Sequence, residues 1–272
     1  MSYSKLHLKI IKYLAVVKVN IQSRTAIFAD MIARNLAIAF RIWMFAQIYM
    51  ASFHALGQTH IGNLDLKSTI WIMMFVQIFR SSSRPRVDKL IDESVRTGAF
   101  AYTINKPYSF VLFHYFGFIG RIIPSVLTNL LVGITIAALL SGLIKISILN
   151  IIIGTILLFL GYTLNFFIEI IIGLSAFWVE NTEPFSWIYQ RTQYILGGAI
   201  VPISLFPEKL APIAEFLPFS QIYYGAARVL VDLNFFIILK YFLIQSFWII
   251  FFSFLAFIIF RKGIKNVSIN GG

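Results

Sequence analysis

The sequence predicts an all-α membrane protein: six transmembrane helices, an N-terminal interfacial amphipathic helix, and short re-entrant outer helices between spans 5 and 6. Three observations carry that prediction. Of 272 residues, 59% are apolar and 12% charged, with mean hydropathy +0.82. Soluble domains sit near 45–50% and about 25%, so one water-soluble core cannot hide the excess. The apolar residues also gather into runs approaching the roughly 20 needed to cross a hydrocarbon core. Finally, the basic residues fall unevenly between alternate connections.

Residues 1–26 come first. Lys5, Lys9 and Lys12 share one helical face, and Leu6, Ile10, Tyr13, Leu14 and Val17 the other. That pattern describes a helix lying on anionic lipid, or a plain extension of the first span. The run starts too late for a cleavable signal peptide. Spans follow at about 31–56, 61–80, 108–140, 151–178, 187–206 and 235–260. The second is the weakest, because its strongly apolar part is only Ile70 to Phe79, so to cross it must begin nearer Ile61 or Lys67. With both termini cytoplasmic, inside segments hold fifteen of the 23 Lys and Arg and outside segments five. That is the bias of the positive-inside rule, and it requires the second span to be counted.

Three segments depart from plain spans. In residues 83–98, Val87, Leu90, Ile91 and Val95 form the stripe of a short amphipathic helix. Ser83 and Pro85 suit its start and Gly98 its end, while Pro107 suits the first turn of the third span. Its charges, Asp88, Lys89, Asp92, Glu93 and Arg96, are of mixed sign. Such a helix either docks into a protein groove or rests on the membrane. Residues 202–219 hold four of the eight prolines, among them Pro202, Pro207 and Pro218, yet also Phe206, Leu217 and Phe219. Prolines break a helix and the apolar residues argue against a solvated loop, so short re-entrant helices fit both facts. A plain outer loop is the alternative. Lastly, Arg41, Arg121 and Glu169 fall within spans, where charges are costly and normally paired. Glu169 is therefore expected to pair with Arg41 or Arg121, as a packing clamp or a substrate site.

Several chemistries are excluded. The chain has no cysteine, and its four histidines have no ligand spacing, so no metal site is predicted. There is no phosphate-binding loop and no catalytic dyad. The basic balance reads as topology and attraction to membrane lipid rather than nucleic-acid binding. Two other classes stay open on the residues alone: an intramembrane lipid-modifying enzyme, and a passive channel or scaffold.

DESVRTGAFAYTINKPYS (Asp92 to Ser109), AFWVENTEPFSWIY (Ala176 to Tyr189) and GGAIVPISLFPEKLAPIAEFLPFSQIYYGAARVL (Gly197 to Leu230) resemble the permease subunits of bacterial type-2 ABC exporters. The likeness is to the branch with paired six-span permeases, and it covers essentially the whole chain. It implies a bacterial plasma-membrane permease paired with an identical or related chain on two copies of an ATPase. ATP and Mg would be bound by that partner, and this chain would hold no cofactor and no catalytic residue. The resemblance further implies that Val87, Asp88, Leu90, Ile91, Asp92, Glu93, Val95 and Arg96 form an ATPase-coupling helix. Pro202, Phe206, Pro207, Leu217, Pro218 and Phe219 would form an outer gate. The cargo would be hydrophobic or amphipathic: a drug, antibiotic, peptide or lipid-like molecule.

Overall fold

The computed structural model describes residues 3–25, 28–57, 59–61, 64–83 and 86–270. Pro85, expected at the start of the amphipathic helix, lies outside the described residues, as do the side chains of Lys5 and Lys9. Eleven α-helices are described: α1 (Tyr3–Thr25), α2 (Phe28–Leu56), α3 (Leu66–Ser82), α4 (Val87–Arg96), α5 (Ala99–Ile104), α6 (Phe110–Ser141), α7 (Ile148–Leu174), α8 (Glu183–Leu196), α9 (Ala211–Phe216), α10 (Pro218–Val231) and α11 (Phe235–Asn270). The only strands among the described residues are β1 (His60–Ile61) and β2 (Leu64–Asp65), paired antiparallel with His60 opposite Asp65.

Local chemistry sets the helix starts. Asp65 closes the hairpin and caps α3, accepting from the Ser68 N–H at 3.2 Å. The helix of the second expected span therefore begins at Leu66, close to Lys67, the later of its two expected starts, and not at Ile61. Ser109 caps α6, so Pro107 lies before its first turn rather than in it. Ser147 and Asn150 cap α7 reciprocally.

Among the described residues, four helical stretches are long and apolar enough to cross a membrane: Ala33–Leu56, Phe110–Ser141, Ile148–Phe177 and Phe235–Lys265. The helices at the other two expected spans are shorter. α3 has 17 residues and α8 has 14, or about 25 and 21 Å at 1.5 Å per residue. α8 ends at Gly197 and Gly198, well before residue 206. Gly198 has φ +73°, a left-handed turn that an ordinary side chain resists.

The core lies where α3, α7 and α10 meet. α3 is buried from Thr69 to Phe79, and α10 is buried nearly throughout. α10 runs antiparallel to α7: Tyr223 packs on Tyr162, with ring centres 6.0 Å apart, and Asn150 donates to the Val229 carbonyl at 2.9 Å. It begins beside the middle of α11, where Gln245 donates to the Gln221 carbonyl at 2.7 Å and Trp248 to the Phe216 carbonyl at 2.7 Å. α1 lies along the first half of α6, with Tyr13 stacked on Phe116 at 5.0 Å. Ile10 and Leu14 of its apolar face stay exposed.

Candidate functional site

The connection between α3 and α6 opens in a buried polar cluster. α4 lays Val87, Ile91 and part of Val95 against the bundle, with the first two fully buried. It approaches α7 closely because residue 173 is glycine. A Cβ there would stand 2.7 Å from the Asp88 carbonyl oxygen and 2.8 Å from the Ile91 Cβ.

The first turn of α4 has no cap of its own, since its N-cap, Arg86, makes no side-chain capping bond. Glu169, reaching across from α7, supplies one. Its Oε2 accepts from the Val87 N–H at 3.0 Å, and its Oε1 accepts from Asn165 Nδ2 at 2.8 Å. A carboxylate at a helix N-terminus meets unsatisfied N–H groups and the positive end of the helix dipole. This replaces the expected partnership with Arg41 or Arg121. Arg41 instead donates to Ser81 at 3.1 Å, beside a small cavity between α2, α3 and α6. Arg121 sits in α6 next to Gly120, which packs against Val17 and Asn20 of α1.

The cluster extends from that carboxylate. Asn165 also donates to Ser83 at 2.9 Å and accepts from Tyr189 at 2.6 Å and Gln193 at 3.1 Å. Asp88, 3% exposed, pairs with Arg86 at 2.9 Å and accepts from Ser186. Burial works against the Arg86 charge, but the Asp88 hydrogen bond and charge outweigh it and push the guanidinium pKa up. Asp92 accepts from Thr182 at 2.9 Å and pairs with Arg96 at 2.8 Å.

Thr182, Ser186, Tyr189 and Gln193 are spaced i, i+4, i+7 and i+11, so they form one face of α8 and its preceding turn, aimed at α4 and α7. The sequence reading missed these residues, and Asn165, although polar residues at helical spacing inside an apolar run are the signal for such a face. The outward side of α4 carries Lys89, Leu90, Glu93 and Arg96, with Leu90 37% exposed. Chemically the cluster is a mechanical joint. It ties a short surface helix to α7 and α8, and among the described residues no group of three metal-ligating side chains occurs.

A family model described as ABC-2 family transporter protein matches residues 66–271, about three quarters of the chain. The chain belongs to the ABC-2 transporter permease family. It is a multi-pass membrane protein, the transport component of a system whose members work with an ATPase. No curated protein matches it.

In this permease the match starts at the first residue of α3, so it takes in the whole joint and the broken segment beyond it. Along that segment Pro202 is buried and opens a 3-10 turn at Ile203–Leu205, while Pro207 lies at an exposed tip. Phe206 and Phe219 pack against the core. Pro218 is the buried first residue of α10, Leu217 precedes it half-buried, and Phe219 meets Tyr189 with ring centres 6.2 Å apart. The residues expected at an outer gate are thus strung along one segment rather than gathered at a point. Its inner end adjoins the α8 face that reaches down to α4.

Proposed function

We propose that this permease is the membrane subunit of an ATP-driven exporter, working by alternating access. It spans a bacterial plasma membrane six times, α3 and α8 completing the four long crossings, with both termini cytoplasmic. It pairs with an identical or related permease on two copies of a separate ATPase, which binds the ATP and Mg. The cargo is hydrophobic or amphipathic. The segment between α8 and α10 re-enters the outer leaflet, where broken backbone is sheltered by protein, and gates the exit.

The observation that carries this reading is α4. One face is keyed into a buried polar joint and the other, with Leu90, Glu93 and Arg96, is left open. An amphipathic helix of that kind is fitted to occupy a groove in a partner. Closure of the ATPases would push α4, and Glu169, Asp88 and the α8 face would pass the displacement to the outer segment.

The test changes only the open face. In the permease–ATPase complex, L90D with E93K should leave the permease folded and inserted. Substrate-stimulated ATP hydrolysis and transport should each fall at least tenfold. Full stimulation in that variant would overturn the assignment of α4.

A further inference from the structure

At the end of the bundle opposite α4, a cleft of about 280 Å³ lies between α9, α10 and α11 and the 3-10 turn before them. Its charged lining is Arg228, Lys240 and Glu215, and its polar lining is Ser204, Tyr224 and Tyr241. Arg228 is 8% exposed. Its Nη2 pairs with Asp232 at 2.9 Å, and Asp232 stands 45% exposed at the rim. The other terminal nitrogen, Nη1, is buried and has no hydrogen-bond partner among the described residues. Lys240 pairs with Glu215 and stays half-exposed. Tyr224 accepts from the Ser204 N–H at 3.2 Å and bonds its hydroxyl at 3.1 Å, so that turn is part of the wall.

A buried guanidinium N–H without an acceptor is costly, and the interior of this cleft holds two cations against one carboxylate. Guanidinium, ammonium and hydroxyl donors converging on one spot suit a group with several anionic oxygens, phosphate foremost. The volume falls just under the roughly 300–1,000 Å³ of drug-sized pockets, the scale of a headgroup rather than a whole amphiphile. Next to the cleft, α11 exposes Phe236, Leu239 and Leu243 on one face. Lys240 is five residues from the start of that helix, about 7.5 Å along it.

We propose that this cleft binds the phosphate of a membrane amphiphile, held by Arg228 and Lys240 with its chains along Phe236, Leu239 and Leu243. Bound there, it joins α9, α10 and α11 to the turn at Ser204 and fixes the broken segment in place.

The test is thermal stabilisation of the full-length protein in detergent by phosphatidylglycerol, phosphatidylcholine or inorganic phosphate. Phosphatidylglycerol should stabilise the wild-type protein at the lowest concentration. R228Q should require about tenfold more or greater, as expected for loss of a charge-assisted hydrogen bond. K240Q, at a more exposed position, should shift in the same direction by less. E215Q, which frees Lys240, should bind several-fold more tightly. Should R228Q fail to fold, the opposite shifts of K240Q and E215Q decide the matter. Stabilisation by inorganic phosphate at matching concentration, lost in the same variants, would assign the site to free phosphate and overturn the amphiphile. Equal responses of wild type and variants to phosphatidylglycerol, or an equal response of the wild type to phosphatidylcholine, would also overturn the proposal.

Discussion

Glu169 shows how one side chain serves two helices. Its two oxygens hold one donor each, the Val87 amide and Asn165, and both donors are buried away from water. Glu169→Gln keeps the shape but leaves one acceptor where two were needed, for a cost of about 1–2 kcal/mol. Glu169→Ala strands both donors and should cost more, since each unmet buried group costs about 1–3 kcal/mol. The loss belongs to the α4 junction, so amide hydrogen exchange should quicken through Val87–Ile91 in both variants while the core of α7 stays protected. Unchanged protection of α4 in the alanine variant would show that Glu169 is not its anchor. A carboxylate buried among apolar residues invites the assumption of an ionic partner, and Arg41 and Arg121 were the nearest candidates by depth. The partner is a backbone amide from a residue 82 positions earlier in the chain, which no local pattern announces.

At the scale of elements, legibility followed what each helix faces. α6, α7 and α11 expose one side away from protein, so their apolar runs are long and read directly, to within a few residues except at the far end of α11. The inner stripe of α4 was legible through its period, although Leu90 belongs to the open face. α10 was not legible. It is buried against α3, α7 and α11, so it tolerates Ser220, Gln221, Tyr223, Tyr224 and Arg228, and its sequence reads like a connection. The end of α8 was hidden because apolar residues continue through Ala199, Ile200 and Val201 after the helix has stopped. What stops it is the turn at Gly198, at φ +73° and packed on the Tyr224 ring. Gly198→Ala puts a Cβ into the left-handed region, at about 1–2 kcal/mol, and 2.9 Å from Tyr224 Cδ2. Thermal unfolding should shift down accordingly, and transport should fall because the outer segment is displaced. Wild-type stability in that variant would mean the turn is not required.

For the whole molecule, the consequence of the fold is a separation of charge along its length. α1 lies beside the start of α6, and Phe100 packs on Phe110, Phe177 and Phe260. The N-terminal helix, α4, α5 and the basic end of α11 therefore sit at one end of the bundle. Lys67, near Gly142, sits at the other with Arg228 and Lys240. Fifteen of the 23 Lys and Arg belong to the segments assigned to the α4 end by the span pattern. Basic connections are retained on the cytoplasmic side, so α4 should face the cytoplasm and the tip near Pro207 the exterior. The chain contains no cysteine, so a single introduced thiol reports its own side of the membrane. E208C, at an exposed position on that tip, should react in intact cells with a maleimide that does not cross the membrane. L90C should react only after the cells are permeabilised. The converse pattern would invert the molecule, put α4 beyond the reach of any cytoplasmic ATPase, and remove the coupling role with it.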